Sequence, residues 1–220
     1  MREILNKCRQ SNSEKKLKSE IVRTLMILFF GFALGIFAKI IDNISINDGV
    51  LWQRLLGEID LRNVLSRFSI WALFALGIAV YSKRAVRAGI NVFSFFVGML
   101  LGYYLITITV SGFFPKTYII GWSIITLFTP IVGFFAWYSK GNGICSIICS
   151  AIILGFFFNQ AFSFGFWYIN ISYYAELICL FFSIILLYNN KNQIAFSLLG
   201  ALLIAPCIQV CLPYFWYIFK

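Results

Sequence analysis

Eight polar side chains stand inside or at the edge of apolar runs: Lys39, Asp60, Asn63, Arg67, Asn159, Gln160, Glu176 and Gln209. A charge or an amide is costly to strand in hydrocarbon, so each such residue is a candidate for a site. Asp60, Asn63 and Arg67 are spaced by three and four, which places them on one face of a helix. On the topology derived below, Asn159, Gln160, Glu176 and Gln209 fall at a similar depth. One chemistry this set supports is an outward-facing polar pocket, with Arg67 and Lys39 attracting an anionic or zwitterionic solute and Glu176 as counter-charge. The other is structural: an Arg67–Glu176 pair that ties two helices together, or an Arg67 that snorkels to the interface.

Catalysis fits the chain less well. It contains no histidine, so a Ser–His or Cys–His nucleophile and the H-E-x-x-H zinc motif are ruled out. No glycine-rich phosphate loop occurs, and no close carboxylate pair lies within the apolar runs. An Arg and Glu lipid-modifying site is the remaining enzymatic option. The six cysteines, Cys8, Cys145, Cys149, Cys179, Cys207 and Cys211, form no C-x-x-C. The pairs Cys145/Cys149 and Cys207/Cys211 are expected near opposite membrane surfaces, where they cannot share one metal, and they read as small packing residues. No cofactor and no metal are expected.

The elements that must position these residues are membrane helices. Of 220 residues, 61% are hydrophobic, 19% aromatic and only 12% charged, with a mean hydropathy of +0.87. Soluble domains carry about twice that share of charge, so this composition requires a bilayer. The expected fold is all-α, a polytopic bundle of seven spans over residues 22–41, 64–81, 89–110, 117–138, 144–163, 171–188 and 194–212. Six spans result if the last segment, with Pro206 and Pro213, re-enters. Residues 1–20 form a basic tail and 21–220 a single transmembrane domain. Between the first two spans, residues 50–59 place Leu51, Trp52, Leu55, Leu56 and Ile59 on one face, the pattern of an amphipathic helix in the interface.

Lys83, Arg84 and Arg87 follow the second apolar run directly, and short Lys/Arg-rich loops stay in the cytoplasm. That places the N-terminus inside. Twelve of the 18 cations then lie on the inner side and five of the eight acids on the outer. The net charge of +10 is therefore positive-inside retention and contact with anionic head groups. It does not signal nucleic-acid binding, for which there is neither motif nor domain. No signal-peptide pattern precedes the first span.

Gly31/Gly35 and Gly98/Gly102 have small-xxx-small spacing, which allows close helix approach either within the bundle or to a partner subunit. Leu101-Gly-Tyr-Tyr104 with Gly112-Phe-Phe114 is echoed at an offset of 53 by Leu154-Gly-Phe-Phe157 with Gly165-Phe-Trp167, as parallel repeats would be.

Gly31 and Gly35, Asn63 with Ser69, Trp71 and Ala72, then Arg84 and Arg87, Gly102-Tyr103-Tyr104, Trp122 and Gly133 form a pattern that resembles a family of bacterial multi-pass membrane proteins with no assigned activity. The resemblance covers about residues 25–140 and departs at Arg62, where the family has a small residue. It implies a bacterial cytoplasmic membrane and carries no mechanism. The expected function is solute binding or transport, alone or beside a membrane or ATPase subunit. The alternative is a non-catalytic accessory or regulatory protein that docks a partner.

Overall fold

The computed structural model describes residues 8–10, 17–44, 60–112, 115–165 and 167–211. The amphipathic helix expected at 50–59 and the last residues beyond 211 lie outside these, as does most of the basic tail. In the described residues the order is α1 Leu17–Asn43, α2 Leu61–Ser66, α3 Phe68–Val80, α4 Ala85–Ser111, α5 Lys116–Tyr138, α6 Gly143–Ala161, β1 Phe162–Phe164, β2 Ile169–Ile171, α7 Tyr174–Leu187 and α8 Lys191–Cys211.

A helix satisfies its own backbone, which is what apolar runs without water require. Breaks fall where the sequence supplies them: Gly112 ends α4 at φ 67, and Pro115 precedes the first turn of α5. Pro130 and Pro206 lie inside α5 and α8, which run through them. Leu25, Met26 and Phe29 on α1, and Leu127, Phe128 and Ile131 on α5, are exposed. A belt of that kind suits lipid tails and not water. The chain is an all-α membrane bundle.

The expected count of seven spans is not reached. Among the described residues α1, α4, α5, α6 and α8 are long and apolar enough to cross a membrane, which makes five. α3 has 13 residues and α7 has 14, about 20 Å each against a hydrocarbon core of about 30 Å. The second expected span, 64–81, is broken at Arg67, whose extended backbone (φ −83, ψ 146) separates α2 from α3. The fifth and sixth spans are trimmed by an antiparallel hairpin that pairs Phe162 with Ile171 and Phe164 with Ile169. Its residues fall across the expected fifth span, the expected sixth span and the loop between them.

Both short helices nevertheless carry the chain between the two ends of the bundle. Arg62 donates to the carbonyl of Ile44 beside the end of α1. At the other end Arg23, near the start of α1, donates to Tyr81 O at 2.8 Å. Likewise Ser172 N donates to Ala161 O at 2.9 Å, while Asn189 Nδ2 reaches Gly141 O at 2.9 Å.

The two halves follow one plan. α1 and α4 lie parallel and in contact: a Cβ on Gly31 or Gly35 would fall on the backbone of Phe95 or Met99, and one on Gly98 or Gly102 on that of Leu28 or Phe32. The glycine faces are thus consumed inside the bundle. α6 and α8 repeat the arrangement: a Cβ added to Gly155 would lie 2.8 Å from the Ile204 side chain, and one on Gly200 2.9 Å from that of Ala151. In each half the short helix, α3 or α7, returns the chain between its parallel pair, and α3 and α7 touch each other. α5 joins the halves. This repeat matches α1 with α6 and α4 with α8, whereas the offset-53 echo matches α4 with α6, so the echo does not mark the structural repeat.

At the basic end, cations cap the helices that terminate there. Arg9 donates to Trp137 O at 2.6 Å and to Val80 O at 3.1 Å, with its guanidinium 4.3 Å above the Trp137 ring. Lys140 donates to Leu186 O at 2.8 Å. C-terminal carbonyls of α3, α5 and α7 thereby gain positive partners, the sign that the helix dipole favours. Next to Arg9, Cys8 accepts from Asn142 N at 2.7 Å. Burial first, then the neighbouring Cys145, pushes its thiol up to about 11.

Two of the three cations after α3 are neutralised. Glu20, 7% exposed, takes Arg84 at 2.9 Å and Arg87 at 2.8 Å. Glu20→Gln keeps the shape and removes the carboxylate that the two guanidinium groups share. The expected loss is about 2 kcal/mol, read as an earlier unfolding midpoint in detergent; an unchanged midpoint would show the triad to be ornamental.

Candidate functional site

Three helices meet at the end opposite the basic one, and each presents a polar or aromatic pair one turn apart. α1 gives Lys39 and Asp42, α4 gives Tyr103 and Thr107, and α5 gives Tyr118 and Trp122. Such spacing puts both members of a pair on one face. Together with Leu65, Ser66, Trp71 and Tyr104 they line a cavity of about 320 Å³, at the lower end of the range for small-molecule sites.

The charged residues among the described lining form an ion pair. Lys39 Nζ lies 2.7 Å from Asp42 Oδ2, with the lysine side chain 7% exposed and the aspartate 38%. The Tyr103 hydroxyl donates to the same carboxylate oxygen at 3.3 Å, and Lys39 Nζ stands 5.3 Å from the centre of the Tyr103 ring. Trp71 is held across the α2/α3 break by donating from Nε1 to Leu65 O at 2.9 Å. Trp122 packs against Phe68 at 5.8 Å, and Phe68 packs against Phe96 and Phe156. These rings close the cavity toward the middle of the bundle.

A second polar cluster sits just beyond the break. Unwinding at Arg67 frees the side chain to leave the helix axis, and its guanidinium lies 3.4 Å over the Tyr173 ring and 3.8 Å from Glu176 Oε1. Ser69 donates to Glu176 Oε2. Glu176 is 2% exposed and falls in the first turn of α7, where the helix dipole favours a carboxylate. This cluster joins the two short helices where the halves meet. Arg67 Nε is buried with no partner among the described residues.

Of the residues expected to form one pocket, the structure brings Arg67 and Glu176 together and sets Lys39 in the cavity. The rest are elsewhere or differently employed. Asn63 Nδ2 donates to Asp60 Oδ2 at 2.9 Å within α2 and its approach. Asn159 donates to Ala205 O at 3.1 Å, tying α6 to α8. Gln209 grips both backbone groups of Phe164, at 2.8 and 2.9 Å, and so fastens the hairpin. Gln160 Nε2 is buried without a partner among the described residues. Neither Asn159, Gln160 nor Gln209 lines the cavity.

The aromatic lining was missed by reasoning from charge alone. Its signal is the i,i+3 and i,i+4 recurrence of Lys39/Asp42, Tyr103/Thr107 and Tyr118/Trp122 toward the ends of three helices. Comparison with family models, with curated proteins and with solved structures finds no match.

Proposed function

We propose that this chain binds a small solute in the Lys39–Asp42 cavity and passes it across a bacterial cytoplasmic membrane, with the N-terminus inside. The observation that carries the reading is the cavity itself: about 320 Å³, walled by tryptophan and tyrosine rings, with one ion pair and an aromatic floor. In membrane transporters built from repeats, solute sites lie near repeat interfaces and beside discontinuous helices. Here the α2/α3 break contributes Leu65 and Ser66 to the lining. The bacterial placement rests on the family resemblance, four of whose residues, Trp71, Tyr103, Tyr104 and Trp122, line the cavity. Partner docking through the glycine faces loses its footing, because those faces are filled by α1 and α4 themselves.

The test is mild extraction from the native membrane followed by mass spectrometry of retained small molecules. Wild type is expected to carry a solute that Trp122→Ala, still folded, does not. A wild-type protein that carries none, and whose unfolding no compound in a solute library delays, would end this reading.

A further inference from the structure

We infer that the solute is a zwitterion with an apolar body, its carboxylate on Lys39 and its ammonium on Asp42. The inference rests on the cavity being a binding site and names what that site selects.

Charge decides first. The two charged residues among the described ones that line the cavity, Lys39 and Asp42, are paired with each other at 2.7 Å. An anionic solute would meet no net positive charge from these two lining residues and would leave Asp42 facing like charge in a partly desolvated wall. A zwitterion inserted between Lys39 and Asp42 replaces each partner by one of the same sign, so no charge is stranded.

Hydrogen-bonding capacity decides against a polyhydroxylated ligand. Ser66 Oγ already donates to Asn63 O at 2.8 Å and Thr107 Oγ1 to Tyr103 O at 2.8 Å. The Tyr103 hydroxyl donates to Asp42. The ion pair is the strong polar handle; Ser66, Thr107 and Tyr103 have spent their donors and can only accept from a sugar, which leaves its ring hydroxyls fewer donors than a charged ligand finds in Lys39.

The remaining wall is apolar and aromatic. Trp71, Tyr104, Trp122 and Met99 offer faces to a hydrocarbon or aromatic body, and ring faces attract an ammonium that approaches Asp42.

Four probes separate the possibilities: phenylalanine, 3-phenylpropionate (no ammonium), phenethylamine (no carboxylate) and glucose, each titrated against unfolding temperature and tryptophan fluorescence of the full chain. Phenylalanine is expected to bind at least about tenfold tighter than the other three, the scale of one lost charged hydrogen bond. Asp42→Asn, a near-isosteric change at a side chain 38% exposed, is expected to reverse the order so that 3-phenylpropionate binds better than phenylalanine. The inference falls if glucose or a singly charged probe binds wild type best, if Asp42→Asn leaves the order unchanged, or if none of the four binds. Those failures leave the cavity reading standing as long as wild type retains a solute that Trp122→Ala loses.

Discussion

Gly31→Leu is expected to prevent accumulation of folded protein, and even Gly35→Ala to lower stability by about 3 kcal/mol or more, because the new atoms would land on backbone and not on movable side chains. At Gly31 the obstacle is the carbonyl of Phe95, with Met99 N 3.2 Å away; at Gly35 it is the carbonyl of Met99, with Tyr103 N 2.9 Å away. Relief requires α1 and α4 to separate along their contact. Since Gly98 and Gly102 press reciprocally on Leu28 and Phe32, separation at one glycine unseats all four. The control is Gly77→Ala on α3, where a Cβ meets only the Leu186 side chain at 4.0 Å and replacement of a mid-helix glycine favours the helix. Pulse-chase abundance in the membrane and unfolding in detergent read the difference. Wild-type behaviour from Gly35→Ala would mean that α1 and α4 are not in this contact.

Much of this architecture is legible in the residues. Helix positions follow from apolar runs bounded by Gly112, Pro115 and the Gly141-Asn-Gly143 turn, and five of the seven expected spans fall on helices long and apolar enough to cross a membrane. Glycine spacing indicated close packing, though not which two helices meet. What the sequence hides is the break at Arg67. There Asp60, Asn63 and Ser66 recur every three residues and bond locally, Asn63 to Asp60 and Ser66 to Asn63 O, in competition with helical bonding. Hydropathy averages over such a stretch and reports one continuous span. The hairpin is invisible for a similar reason: Phe162-Ser-Phe164 and Ile169-Asn-Ile171 are as apolar as the helices beside them, and only tertiary pairing through Gln209 separates them.

The candidate site divides along the same line. Charges are conspicuous in an apolar sequence, and reasoning from them finds Arg67, Glu176 and Lys39. Aromatic residues are not conspicuous in a chain with 25 Phe, 11 Tyr and six Trp, so the lining that shapes the cavity has no compositional contrast. Depth also misleads. Asn159 and Gln209 sit at the right height and serve the α6–α8 contact and the hairpin. Height along a span says little about which way a side chain faces.

Arg67→Ala is expected to cost about 3–5 kcal/mol, the penalty for stranding a buried partner charge. Glu176 is 2% exposed, and its charged partner among the described residues is Arg67. Ser69 remains as a donor but brings no charge. The pair's 3.8 Å separation is loose, while the guanidinium lies 3.4 Å over Tyr173, so the arginine is positioned by the ring as much as by the carboxylate. Adding Glu176→Gln to Arg67→Ala removes the stranded charge and is expected to recover most of the loss. The two changes should therefore be strongly non-additive in a double-mutant cycle. Solute affinity behaves differently: Arg67 does not line the cavity, so the affinity of a folded Arg67→Ala/Glu176→Gln protein should stay within a fewfold of wild type, whereas Asp42→Asn changes which ligand is preferred. Additive effects would dissolve the pair as a structural unit. A double variant that is stable yet binds nothing would move the site from the Lys39–Asp42 wall to the seam between α3 and α7.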